Sequence, residues 1–235
     1  MTRATPRALL RRAACPSIDL DALERGRVEH AFYARDALVV ARALIGTYLV
    51  HGARAVRIVE TEAYRGPKDL ACHARVGLTK RTRTLLGPEG HAYVFLIYGM
   101  YDCFNVTCAS EGRGHAVLVR AGEPIFGIDA SVRTDGPGRL ARALGISRAM
   151  DGHDLSMPPL YVSARTARPR IATSARVGVA YAGEIADAPW RLFDPTSAHV
   201  SRPSARSIGL GRELTETSTP PSARASRGAR RSARE

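Results

Sequence analysis

The sequence is short of lysine, of aromatic residues and of long apolar runs. Lysine occurs only at Lys68 and Lys80 among 35 basic residues, so nearly every cation is an arginine. Arginine forms forked hydrogen bonds to phosphate but cannot form a Schiff base, which disfavours chemistry through an amine nucleophile. No apolar run reaches the roughly 18 residues that a membrane-spanning helix needs. We therefore expect a cytoplasmic protein that has no membrane partner.

Cysteine is also sparse, and its spacing is poor for metal binding. The four cysteines, Cys15, Cys72, Cys103 and Cys108, form no Cys-x-x-Cys pair. Cys72 beside His73 could be half of a metal site, but buried free thiols in a reducing compartment explain the pattern better. We expect no metal.

Positive charge is in excess and is concentrated at the two ends of the chain. The net charge is +13 and the pI about 10.4. Residues 1–28 hold six arginines against three acids, and residues 201–235 hold eight against three. These ends are either solvated low-complexity segments or tethers to a polyanion such as DNA. Composition predicts that 1–28 is disordered or loosely ordered, that 29–200 forms one domain, and that 201–235 is a disordered Arg/Ser-rich tail.

Hydrophobic periodicity predicts a mixed α/β domain whose strands are mainly antiparallel. Apolar residues recur at helical spacing over 36–45, and Gly46 supplies a stop. A second, short helix is expected at 139–144, and 68–90 should be a long polar loop. The strand patterns are two hairpins, 48–50 with 55–64 and 103–108 with 116–121, and single strands at 91–98 (buried on both faces), 160–162 and 176–181.

Two glutamates are predicted to lie on one face of the first hairpin. If residues 58–64 are extended, Ile58, Glu60, Glu62 and Tyr64 alternate onto the same face. A carboxylate on a partly buried face could act as a general base toward water. Spacing alone favours the other interpretation, in which both glutamates solubilise an exposed face.

Two further residues stand out by their surroundings. Tyr98 ends an apolar strand at a glycine turn, where its ring could project and unstack a base pair. A tyrosine at the rim of the core is the ordinary alternative. Arg120 interrupts an apolar strand, and a buried cation there needs a partner. A salt bridge to Glu60, Glu62 or Glu123 would supply one, and so would a phosphate.

Five segments together resemble the alkyladenine DNA glycosylases, also called methylpurine-type 3-methyladenine DNA glycosylases. They recur in the family's order within residues 29–195, and the match is strongest in the third. The segments are 40–46, 58–64, 91–101, 136–140 and 176–184. The resemblance implies an α+β fold, a single domain with a curved, mainly antiparallel sheet and flanking helices. It also implies a monofunctional, monomeric enzyme that acts on double-stranded DNA containing damaged purines and needs no cofactor.

The resemblance further implies roles for individual residues of the expected base pocket. Glu62 matches the catalytic carboxylate that activates water for attack at the sugar C1′. Arg120 matches the arginine that helps place this water and the DNA backbone. Tyr64 and His73 match residues that hold the flipped base, by stacking and by hydrogen bonding. Phe95 stands where a second stacking aromatic is usual, often tyrosine; it keeps the ring face and loses the hydroxyl.

Other matched residues concern the DNA around the pocket. Tyr98 matches the residue that inserts into the minor groove and fills the gap left by the flipped nucleotide. Asn105 matches a wall residue that helps to exclude normal guanine by clashing with its amino group. Arg75 and Arg81 are expected to contact phosphates. The family commonly has asparagine at the position of Thr82, which leaves the geometry of this loop open.

The expected function is hydrolytic removal of alkylated purines, foremost 3-methyladenine, with 7-methylguanine, hypoxanthine and ethenoadenine as further candidates. In a bacterium the enzyme would be associated with the nucleoid. Two alternatives come from other functional classes. A non-catalytic module that senses distorted DNA would keep Tyr98 but would not need Glu62. A small-molecule enzyme with a basic tail would leave Tyr98 and Arg120 unexplained.

Overall fold

A curled antiparallel sheet forms the framework of the chain in the computed structural model, which describes residues 19–201. Its eight strands are β1 (Tyr48–His51), β2 (Arg54–Arg65), β3 (Ala92–Ile97), β4 (Tyr101–Cys108), β5 (His115–Phe126), β6 (Leu160–Ser163), β7 (Ala172–Ser174) and β8 (Arg191–Phe193). The α-helices of this range are α1 (Leu20–Arg25), α2 (His30–Tyr33), α3 (Ala37–Leu44) and α4 (Pro137–Leu144). The predicted α+β class with antiparallel strands is confirmed.

Strand β2 is the centre of the sheet. The strands follow the order β3-β4-β5-β2-β1-β6, and β5 pairs with β2 along almost its whole length. On the other side of β2, β1 pairs with the first part and β8 with residues 60–62. The register between β2 and β5 shifts around 58–61, the irregularity of a β-bulge, which re-aims side chains locally. Both predicted hairpins are therefore present, and they meet at β2.

Helices α3 and α4 pack on the sheet and close the main core. The Asp36 carboxylate caps α3 by accepting from the Leu38 amide, and the chain turns away at Gly46, whose φ of +85° suits glycine. No helix in the described range is long and apolar enough to cross a bilayer. The larger side chains of this core are Tyr33, Val40, Leu44, Ile45, Leu49, Ile58, Phe104, Val106, Val117, Val119, Leu140, Leu144, Leu155 and Leu160.

Two strand predictions need correction. Residues 176–181 are not a strand: after β7 they form a turn and then enter the 3₁₀ helix Ala180–Asp187. Gly178 at φ +75° interrupts the extended backbone that the alternation of apolar residues had suggested. Strand β3 is not buried on both faces along its whole length, because only its first half is buried and residues 95–97 are partly exposed.

Ordered residues lie on both sides of the predicted domain 29–200. Helix α1 lies before residue 29, and its Leu23 packs in a cluster with side chains of β1, β2 and β6. Ser201 is 2% exposed, although it was predicted to begin a disordered tail. The remaining predictions of disorder concern residues 1–18 and 202–235, which lie outside the described residues, as does Cys15.

We expect Leu44→Ala to lower the free energy of unfolding by about 2–5 kcal/mol, because Leu44 is fully buried and its removal leaves a cavity beneath α3. Val39→Ala on the same helix is the matched control: Val39 is 49% exposed, so its loss should change stability by less than about 0.5 kcal/mol. Urea unfolding measures both. Equal losses would mean that α3 does not pack as described.

Candidate active site

A cavity of about 590 Å³ opens among the β3–β4 hairpin, the loop after β2 and the turn after β7. This volume is in the range of ordinary ligand sites. Its walls include most of the sequence-predicted site residues, namely Tyr64, His73, Arg81, Phe95, Tyr98, Asn105 and Arg120. Arg75 is exposed and does not line the cavity, and Glu62 lies behind the wall.

The Glu62 carboxylate is held by three groups that themselves line the cavity. Its Oε1 accepts a hydrogen bond from the Val177 amide at 2.8 Å and lies 3.4 Å from Nη1 of Arg120. Its Oε2 accepts from the Tyr64 hydroxyl at 2.9 Å. Glu60 and Glu62 are both 0% exposed, so the interpretation of an exposed, solubilising face is wrong.

The Glu60 carboxylate accepts hydrogen bonds from four donors. These are Nε of Arg120 at 3.0 Å, Nε of Arg191 at 2.7 Å, and the amide and hydroxyl of Ser201 at 2.6 and 2.8 Å. Arg191 is also fully buried. Glu60 therefore joins β2, β5, β8 and the last described residue at one buried point.

Arg120 lies between the two buried carboxylates and forms ion pairs with both. Burial lowers the pKa of its guanidinium, but the charges of Glu62 and Glu60 outweigh this effect and raise that pKa above its ordinary value. The expected salt bridge is thus present with two of the three predicted glutamates. Glu123 instead pairs with Arg57.

Tyr64 lies between the cavity and a second buried arginine. The guanidinium carbon of Arg176 is 4.7 Å from the centroid of the Tyr64 ring. Burial and then the charge of Glu62 raise the pKa of the Tyr64 hydroxyl well above its ordinary value. The hydroxyl therefore stays protonated and remains a donor to Glu62.

His73 is held by the aromatic side of the cavity. Its Nδ1 lies 2.9 Å from the Tyr93 hydroxyl, and its ring meets that of Phe95 edge to face at 4.6 Å. Burial and then the charges of Arg81 and Arg75 lower the pKa of His73 to about 4. At neutral pH the imidazole is therefore uncharged and has one donor and one acceptor nitrogen, and its Nε2 lies 3.4 Å from Nη2 of Arg81.

Asn105 forms part of the cavity wall from strand β4. Its Nδ2 donates to the backbone carbonyls of Tyr93 at 3.0 Å and Cys103 at 3.3 Å. Both amide hydrogens are thus used within the sheet, which fixes the orientation of the side chain.

The cysteines of the described range are buried free thiols, as predicted: Cys72, Cys103 and Cys108. Burial raises the pKa of each, that of Cys103 to about 11, so all three are protonated at neutral pH. Cys72 also lies within 3.5 Å of the Gly114 carbonyl, to which its thiol donates.

Tyr98 forms the tip of the β3–β4 hairpin and is 83% exposed. A ring this exposed does not belong to the rim of the core, so that alternative is wrong. Its φ of +52° lies in the left-handed region, which costs a non-glycine residue on the order of 1 kcal/mol. The exposed Met100 completes the tip.

The loop of 77–82 brings Arg81 to the cavity. The Arg81 guanidinium lies 5.1 Å from the centroid of the Phe95 ring. Thr82 is buried, and its hydroxyl donates to the Gly77 carbonyl at 2.6 Å and accepts from the Thr79 amide at 2.8 Å. The Thr79 and Thr82 hydroxyls also lie 2.9 Å apart, so the two threonines close this loop together.

Several cavity residues were missed by the sequence interpretation. The Val177 amide is a backbone donor, so no residue type announces it. Arg139 and Arg142 line the rim from α4; the resemblance includes residues 136–140 but assigns no role to either arginine. Tyr181 also lines the rim and is 69% exposed; it lay in a segment predicted as a strand.

Comparison with known proteins gives a consistent result. The family model described as "Methylpurine-DNA glycosylase (MPG)" matches residues 31–198. A protein of Myxococcus xanthus (strain DK1622) is 54% identical over 178 residues, 73% of this chain and 92% of its own. A protein of Methanocella arvoryzae is 48% identical over 73% of this chain and 94% of its own. One of Legionella pneumophila (strain Lens) is 45% identical over 75% of this chain and 98% of its own. All three are named "Putative 3-methyladenine DNA glycosylase".

We expect the free energy of unfolding to fall as the pH is lowered from 6.5 toward 4, in part because of His73. Its pKa is about 4 in the folded chain against an ordinary 6.5, so the unfolded chain binds more protons in this window. Urea unfolding of the wild type and of His73→Gln at several pH values should show a shallower slope for the variant. An NMR titration of the His73 ring that centred near 6.5 would contradict the expectation.

Proposed function

The chain belongs to the methylpurine-DNA glycosylase family, and we propose that it excises alkylated purines, foremost 3-methyladenine, with Glu62 as the general base. It is a DNA glycosylase, a hydrolase of N-glycosyl bonds. The observation that carries the proposal is the buried Glu62 carboxylate, which lies directly behind the cavity and is bonded to Tyr64, Arg120 and Val177. 7-Methylguanine, hypoxanthine and ethenoadenine are the further substrates that we propose.

The cavity is proposed to receive a purine that has rotated out of the helix. Tyr64 and Phe95 offer ring faces for stacking, and the neutral His73 offers a hydrogen bond. Asn105, fixed by two backbone carbonyls, limits the room beside the base. A guanine amino group would need that room, which supports a role for Asn105 in excluding normal guanine by steric clash.

In the proposed reaction, water attacks C1′ as the bond from C1′ to the base nitrogen breaks. Glu62 accepts a proton from the water. A cationic alkylated base leaves as a neutral molecule, whereas a neutral base such as hypoxanthine takes the electron pair of the bond and a proton from solvent as it leaves. Arg120 orients the carboxylate, because the same guanidinium is fixed by Glu60 on its other side. A carboxylate base held in this way contributes about 10²–10⁴-fold to the rate.

The rim of the cavity supports binding to duplex DNA. Tyr98 projects from the hairpin tip, so its ring could fill the space left by the extruded nucleotide. Arg81, Arg139 and Arg142, which line the cavity, and the exposed Arg75 outside it supply cations for phosphates. We propose that the enzyme acts as a monomer.

We expect Glu62→Gln to lower single-turnover excision by about 10²–10⁴-fold, because glutamine cannot accept the proton from water. The rate of excision is measured on duplexes that each carry one hypoxanthine, 7-methylguanine or ethenoadenine. Release of 3-methyladenine is measured on methylated DNA. Glu111→Gln, in the exposed β4–β5 turn, is the matched control and should excise at the wild-type rate. Wild-type rates in Glu62→Gln would refute the assignment.

Tyr98→Ala should weaken capture of the lesion by about fivefold or more, because one aromatic stacking contact is worth roughly 1–3 kcal/mol. The fluorescence of ethenoadenine or of a neighbouring 2-aminopurine reports extrusion of the base. Met157→Ala, which changes another exposed large side chain away from the cavity, should leave the signal unchanged. Full extrusion by Tyr98→Ala would exclude the proposed insertion.

A further inference from the structure

A buried cation lies against the face of Tyr64 that is turned away from the cavity. Tyr64 lines the cavity, whereas Arg176 does not, and the Arg176 side chain is 0% exposed. Its guanidinium carbon is 4.7 Å from the Tyr64 ring centroid and 4.9 Å from that of Trp190. The guanidinium thus contacts both aromatic rings, and the part of the Tyr64 ring that lines the cavity is left for a bound base.

Arg176 cannot move away from this position without breaking several contacts. Its two terminal nitrogens donate to the Asp69 carboxylate at 2.6 and 2.9 Å, and one of them also donates to the Ala63 carbonyl at 3.0 Å. Asp69 in turn accepts from the amides of Arg65 and Ala71. The cation is therefore a fixed part of the wall rather than a mobile surface charge.

The charge of Arg176 acts on the Tyr64 ring even though Asp69 is its partner. The guanidinium carbon lies 4.7 Å from the Tyr64 ring centroid, while Asp69 accepts from the terminal nitrogens. Burial and then Glu62 raise the pKa of the Tyr64 hydroxyl, and the charge of Arg176 opposes them. The quadrupole of an aromatic ring attracts a cation to either face. A guanidinium against one face therefore weakens the attraction for a second cation on the other face. A base stacked at ~3.5 Å on the open face would lie about 8 Å from the guanidinium carbon.

We propose that Arg176 determines lesion preference by disfavouring positively charged purines in the pocket relative to neutral ones. The inference rests on the proposed function, specifically on Tyr64 as the ring that stacks on the extruded base. Nucleotides of 7-methylguanine and 3-methyladenine carry a positive charge, whereas those of hypoxanthine and ethenoadenine are neutral. The buried cation thus reduces the advantage in affinity that the attraction between a charge and a ring would otherwise give to cationic lesions over neutral ones.

The test compares the affinity for a cationic and a neutral lesion in two variants whose expected effects have opposite signs. Asp69→Asn leaves Arg176 without its counter-charge and should lower the affinity ratio of 7-methylguanine to hypoxanthine. The double variant Asp69→Asn with Arg176→Gln removes both charges but keeps polar groups in place, and should raise that ratio by about three- to tenfold. If Arg176 had only a structural role, each variant would lower the affinities for both lesions by the same factor.

Binding is measured with duplexes that carry 2′-fluoro-7-methylguanosine, 2′-fluoroinosine or undamaged 2′-fluoroguanosine, because the fluorine slows loss of the base. Fluorescence anisotropy gives the affinities, and thermal unfolding verifies that each variant is folded; Asp69→Asn alone suffices if the double variant does not fold. A ratio unchanged within twofold, or shifted in the same direction by both variants, overturns the inference. If the wild-type protein binds neither lesion better than undamaged DNA, the pocket does not hold an extruded base. That result would refute both the proposed function and the role of Arg176.

Discussion

The position of one guanidinium between two buried carboxylates determines much of this structure. A carboxylate removed from water is very unfavourable unless cations and hydrogen-bond donors compensate it. Arg120 does this for Glu60 and Glu62 together, with Arg191 and Ser201 completing the shell of Glu60. The candidate general base is therefore held by the same contacts that join β2, β5 and β8. Loss of a donor to Glu60 should therefore also change the position of the Glu62 carboxylate, because Arg120 contacts both.

The features that could be predicted from the sequence are those encoded locally. Alternation along β2 brings Glu60, Glu62 and Tyr64 together as predicted, but Ile58 was wrongly placed with them: the bulge between 58 and 61 leaves Ile58 in the main core with Ala63. The helical spacing before Gly46 gives α3. A tyrosine before a glycine at the end of an apolar strand indicates the exposed hairpin tip. The family resemblance adds the assignment of roles, and the residues it selects, apart from Arg75 and the more deeply buried Glu62, line one cavity.

The features that could not be predicted depend on partners far away in the chain. Nothing near Glu60 indicates burial, because Arg120 and Arg191 lie 60 and 131 residues away, so spacing alone favoured an exposed face. The turn at 176–181 was misread because its alternating apolar residues imitate a strand. Its contribution to the site, the Val177 amide, is a backbone group that every non-proline residue carries.

The burial of Ser201 bears on how the protein can be shortened. A boundary drawn from composition alone would end the domain at 200 and discard the residue that gives Glu60 two of its four donors. The Arg-rich segment follows directly after Ser201, and the Ser201 hydroxyl accepts a hydrogen bond from Nη2 of Arg120 at 3.3 Å. The segment is therefore attached directly beside Arg120. An expression variant designed to remove this segment should keep Ser201 and some of the chain beyond it. Otherwise a new, charged carboxyl terminus would be created beside the Glu60 carboxylate.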